Sequence, residues 1–112
     1  MLTEVANMGE SLPEKLSRLW EDFRKLPFPA DFYSREPAGE CMVSMDASLA
    51  GCISSAMNGR LDEARHEVLH GRIVRLREIL PLIQDDENAS SYFTHLYEIA
   101  ILAAKIDDRH NP

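Results

Sequence analysis

Leu69, Ile73, Leu76, Leu80 and Ile83 step along the chain by four, three, four and three residues. The helical period of 3.6 puts such residues on one stripe, and an apolar stripe must be covered by a neighbouring element. Leu61, Val68 and Ile79 form a second row about 90° round the same helix at about 100° per residue. A helix over about 61–80 is therefore expected to touch two neighbours. Arg65 and Arg72 lie between the rows, where their stems can pack while the heads find carboxylates. Pro81 removes a helical hydrogen bond and disfavours helical geometry at Leu80, which ends or kinks the element there.

The remaining segments read the same way. Ser11-Leu12-Pro13-Glu14 has the S-x-x-E form with proline in the first turn, and Leu12, Leu16, Leu19, Trp20, Phe23 and Leu26 recur at helical spacing up to Pro27. A first helix over 12–26 is expected, followed by a loop over 27–40 holding Pro27, Pro29, Pro37 and Gly39. Phe28, Phe32 and Tyr33 sit in that loop, either closing one end of the core or anchoring a partner. A second helix is expected over 44–57, starting near Ser44 or Asp46 and stopping at Asn58-Gly59. Its small residues Ala50, Gly51, Ser54 and Ser55 would let a neighbour approach closely. A fourth helix over 89–106 carries Ala89, Tyr92, Phe93, Leu96, Ile99, Ala100, Ala103 and Ile106 on one face. Tyr97 and Ile101 fall outside it as a small ridge, and 1–10 and 107–112 read as frayed tails. The expected fold is all-α: one domain over 1–112, a compact antiparallel bundle of about four helices with a proline- and aromatic-rich loop after the first.

Composition excludes several functions. A chain of 112 residues can bury a core without covalent staples. Its net charge of −7 disfavours nucleic acid and anionic membrane surfaces, both polyanions, and favours a more basic partner. Cys41 and Cys52 form no C-x-x-C pair and read as reduced thiols of a cytoplasmic protein, Cys52 packing as a small hydrophobe. The first residues lack the basic and apolar regions of a secretory leader. The longest apolar stretch, Ile99 to Ala104, is too short to span a bilayer.

One string names a chemistry. His66-Glu67-Val68-Leu69-His70 spells H-E-x-x-H, in which two histidines on one helical face grip zinc and the glutamate acts as general base on a bound water. Its surroundings argue against a zinc-dependent hydrolase. Glu63, Arg65 and Arg72 charge the flanks of a helix that zinc proteases of this type bury. His66 and His70 lie about 50° and about 90° from the apolar seam, toward the flank or solvent. A catalytic zinc also needs a third protein ligand. In a hairpin of the third and fourth helices, His95 falls beside Arg77, about 10 Å along the axis from His70. Asp107 and His110 come closer to His66 but lie in the expected tail. The string is therefore read as two surface histidines, with no cofactor.

No nucleophilic triad, glycine-rich phosphate loop or internal repeat is visible. The expectation is a non-catalytic protein–protein interaction module: a small acidic regulator, inhibitor, immunity-type protein or chaperone, paired with itself or with another protein. The candidate contact residues are Phe28, Phe32, Tyr33, Arg65, Arg72, Tyr97 and Ile101. The alternative is the zinc-dependent hydrolase using His66, Glu67 and His70, the only reading that brings in zinc.

Overall fold

The computed structural model describes residues 9–59 and 61–110. Four α-helices carry the fold among these residues: α1 (Leu12–Phe23), α2 (Met42–Met57), α3 (Glu63–Ile79) and α4 (Glu87–His110). Short 3₁₀ turns at Ala30–Tyr33, Pro37–Gly39 and Leu80–Ile83 link them, and no strand occurs among the described residues. The all-α bundle is as expected.

Several helix boundaries have a local cause. At α1 the Ser11 hydroxyl accepts from the Glu14 amide at 3.2 Å while the Glu14 carboxylate accepts from the Ser11 amide at 3.1 Å, a reciprocal cap. The helix stops at Phe23 rather than Leu26. The amides of Lys25 and Leu26 bond three residues back, tightening the chain before Pro27, and Leu26 is left 46% exposed. Helix α2 begins at Met42, two residues before the expected start, with Cys41 at the cap and neither Ser44 nor Asp46. The early start brings Met42 and Met45 fully into the core beside Leu49, Cys52, Ile53 and Ala56. Asp62 caps α3 through the Arg65 amide at 2.8 Å, and Pro81 converts the end of that helix into the 3₁₀ turn.

The α3 seam is buried as expected at Leu69, Ile73, Leu76 and Ile83, with Leu80 half-buried. The second row is not continuous. Leu61 and Ile79 are buried, but Val68 is 44% exposed. Asp62 is the cap, so Leu61 lies outside the helix and does not share its phase. The helix surrounded by neighbours is α4, which packs against α1, α2 and α3. All eight residues of its expected apolar face are buried, and Leu102 and Ala104, off that face, are buried too. Leu61 meets Asp107 and Arg77 meets Tyr97, so α3 and α4 run antiparallel.

The loop after α1 closes one end of the core. Phe28 packs on Tyr92 and Phe93 edge-on, and Phe32 packs on Phe93. The Tyr92 hydroxyl donates to Asp46 at 2.6 Å, and burial pushes the Asp46 carboxyl above its ordinary value. Two arginines of α3 hold the end of the loop. Arg72 and Arg75 both donate to Glu40, at 3.0 and 3.1 Å, and Arg75 donates to the Ala38 carbonyl at 2.9 Å. These contacts clamp Ala38 at a φ of 54°, a left-handed conformation that costs a non-glycine residue about 1–2 kcal/mol.

Gly51 does not mediate a close helix approach. It lies on the exposed side of α2, and a Cβ placed there meets nothing within 4 Å. Gly51→Ala is therefore expected to raise unfolding stability by about 0.5–1 kcal/mol, through helix propensity and a less flexible unfolded chain. Leu76→Ala, at a fully buried seam position, is expected to cost about 2–5 kcal/mol. Urea unfolding of both variants checks the two values. A Leu76→Ala loss below about 0.5 kcal/mol, usual for surface positions, would contradict the packing.

Candidate functional site

The histidines of the H-E-x-x-H string lie one turn apart on α3, with ring centroids 4.3 Å from each other. Their side chains are 36% and 42% exposed, but they do not stand alone on the surface. Helix α4 continues through the expected tail to His110 and brings Asp107 and Asp108 against them. No glycine or proline interrupts the chain between Pro81 and Pro112, and Ala103, Ala104 and Ile106 keep the segment packed on its neighbours.

Asp107 is the most enclosed member, its side chain 1% exposed. One carboxylate oxygen accepts from the Leu61 amide at 3.3 Å, and the other accepts a short hydrogen bond from His66 Nδ1. That bond is the main reason the His66 imidazole titrates above its ordinary value. Partial burial opposes the shift, and the charges of Asp107, Asp108 and Glu67 add to it. His70 is held differently. Its Nε2 lies 3.7 Å from Asp108 Oδ1, within ion-pair range but too far for a hydrogen bond. The same nitrogen is shut off from solvent and has no hydrogen-bond partner among the described residues. One donor atom from each of His66, His70, Asp107 and Asp108 falls within 4.8 Å of all the others. Glu67 is exposed on α3, and His95 is apart from the group, its Nδ1 donating to the Ser91 carbonyl at 2.8 Å.

The residues expected to contact a partner are scattered. Phe32 is 1% exposed and belongs to the core, whereas Tyr33 is 69% exposed and leans on the half-buried Phe28 with ring centroids 4.8 Å apart. Arg72 is engaged by Glu40, and the exposed Arg65 side chain lies 3.5 Å from Asp62. Tyr97 is covered by Arg77, whose guanidinium sits over the ring and donates to the hydroxyl at 2.9 Å. Ile101 packs against the edge of the core. Tyr97 and Ile101 therefore do not form an open apolar ridge.

A second feature went unread in the sequence. Between α1 and α4 runs a groove of about 330 Å³ lined by Leu19, Asp22, Phe23, Leu26, His95, Glu98 and Ile99. Its apolar members belong to the stripes of two amphipathic helices, and only the early end of α1 leaves Leu26 facing outward. Cys41 and Cys52 are free thiols. Cys52 is buried, and its Sγ donates weakly to the Arg65 carbonyl at 3.7 Å. No helix among the described residues is long and apolar enough to cross a membrane. Comparison with known protein families, curated proteins and solved structures finds nothing that matches this chain.

Asp107 accepts from a backbone amide at a buried position, whereas Asp108 is exposed. With any metal removed by chelator, Asp107→Ala is expected to cost about 1–3 kcal/mol, because the Leu61 amide and His66 lose an acceptor. Asp108→Ala is expected to stay within about 0.5 kcal/mol. Equal losses for the two, measured by urea unfolding in chelator, would contradict this division.

Proposed function

We propose that the protein is a non-catalytic interaction module that takes a basic amphipathic helix of another protein into the groove between α1 and α4. The groove itself carries the reading. Leu19, Phe23, Leu26 and Ile99 offer an apolar floor, with the carboxylates of Asp22 and Glu98 at its rim. A helix laid in such a groove buries residues at i, i+3, i+4 and i+7 and sets its flanking cations against the acidic rim. The net charge of −7 supports the choice of a basic partner, since it raises the encounter rate with cationic surfaces and penalises acidic ones. Free thiols at Cys41 and Cys52 support a reducing compartment, and the cytoplasm is the working location.

The roles named from sequence shift accordingly. Tyr33, the most exposed aromatic of the loop, remains a contact available to a partner, while Phe32 serves the core. Arg72 fixes the loop after α1 and is not part of this docking surface.

The test uses two labelled synthetic peptides of about five helical turns with leucine on one face. One carries lysine and the other glutamate on the flanks. Fluorescence anisotropy is expected to show binding of the lysine peptide, weakened by salt. Leu26→Asp combined with Glu98→Lys should reduce affinity by at least about tenfold, or about 1.4 kcal/mol. Equal binding of both peptides, or no effect of the double variant, would count against the reading. Concentration-dependent self-association lost in the same variant would give the groove to a second copy of the chain.

A further inference from the structure

We propose that His66, His70, Asp107 and Asp108 form a binding site for a zinc-like divalent transition-metal ion that ties α3 to the C-terminal part of α4. The groove between α1 and α4 has no part in it, so the two proposals stand or fall separately.

Two independent observations converge. The first is the donor set: two imidazoles one turn apart on α3, and two carboxylates at successive positions of α4, all presenting a donor within 4.8 Å of one another. The second is the state of His70. Its Nε2 is closed off from solvent, lacks a hydrogen-bond partner among the described residues, and sits beside a carboxylate oxygen at 3.7 Å that is too distant to bond. A buried polar atom without a partner carries a desolvation penalty that native structures avoid or relieve with water or an ion. A cation between these donors would satisfy His70.

The chemistry of the donors selects the ion. Imidazole nitrogen suits zinc, copper, nickel and iron, whereas magnesium and calcium prefer sites built of oxygen alone. Two nitrogens and two carboxylate oxygens suit four-coordinate zinc, with bonds of about 2.0–2.2 Å. Tetrahedral donors at that bond length lie about 3.4 Å apart, so a pair at the 4.8 Å limit must close by about 1.4 Å while His66 and Asp107 move apart to admit the ion. Asp108, on the exposed side of the group, has room to rotate toward the other donors. His66 Nδ1 must release its shared proton to bind, so the ion replaces a proton between His66 and Asp107.

Four protein donors mark a closed structural site, whereas a catalytic zinc keeps a position for water. This separates the proposal from the hydrolase suggested by the string alone. Glu67 takes no part in the donor group.

The experiment starts from protein stripped by chelator and dialysed. Zinc chloride is titrated calorimetrically, with magnesium chloride as control, and cobalt chloride is added for visible spectroscopy. One equivalent of zinc should bind and raise Tm, magnesium should do neither, and cobalt should show the intense visible bands of a four-coordinate ion. His70→Ala and Asp108→Asn leave the His66–Asp107 pair in place, and circular dichroism of the apo variants checks that each folds. Each should lower zinc affinity beyond the 10- to 100-fold typical of losing an outer-shell partner, while Glu67→Gln should bind as the unaltered protein does. Absence of stoichiometric zinc binding would overturn the proposal, as would binding undiminished in both folded ligand variants or binding lost in Glu67→Gln.

Discussion

Burial of α4 beneath the other three helices is the constraint on which the remaining structure depends. The other three helices each cover part of it, and its core-facing residues run from Ala89 to Asp107 with few breaks. Ala100, Ala103 and Ala104 keep the later half narrow enough for neighbours to approach, while Tyr92, Phe93 and Leu96 fill the wider first half. A helix packed this way draws little of its stability from propensity and most from tertiary contact. The same burial accounts for the final turns, because packing of Ala104 and Ile106 extends the helix through a charged segment.

Polar groups fix the arrangement that apolar packing permits. Hydrophobic burial is non-directional and tolerates small shifts of one helix against another. Tyr92 to Asp46 ties α4 to α2, and Asp107 to Leu61 and His66 ties α4 to the start of α3. Arg35 to Asp85 joins the loop after α1 to the turn before α4 with a bidentate pair at 3.0 and 2.9 Å. The partly buried contacts have most influence on register, since exposed ion pairs contribute about 0–1 kcal/mol. Glu40 is of the first kind: it holds two arginines of α3 and keeps the strained turn at Ala38 in place.

The two proposed sites use different sides of the molecule and different physics. The groove is a by-product of two amphipathic helices whose stripes diverge where α1 ends, and its selectivity would come from an acidic rim. The His–Asp group lies farther along α4, where its carboxylates meet the start of α3. A metal there would act on the bundle as a cross-link, stabilising the folded state in proportion to its preference for that state over the unfolded chain.

Periodicity alone determined that this chain is helical, where three of its helices lie to within a few residues, and which residues of α3 and α4 face inward. Leu69, Ile73, Leu76, Leu96 and Ile99 could be assigned this way because helical spacing and apolarity are local properties, carried by neighbours in the chain. The net charge of −7 likewise underlies the proposal of a basic partner. The first turn of α2 was misplaced because Cys41 gives no side-chain cap and Met42 is buried by contacts far away in sequence. Val68 was misjudged because it shares its phase with the buried Ile79, and phase alone does not say how far along a row neighbouring elements cover it. The His–Asp group lay beyond local reasoning altogether. Asp107 and Asp108 look like solvated tail residues until α4 is packed, and only that packing carries them to His66 and His70, about forty positions earlier in the chain. Sequence determined the elements and most of their inward faces; tertiary packing decided how far α4 runs and which charged groups meet, because both depend on contacts between distant segments.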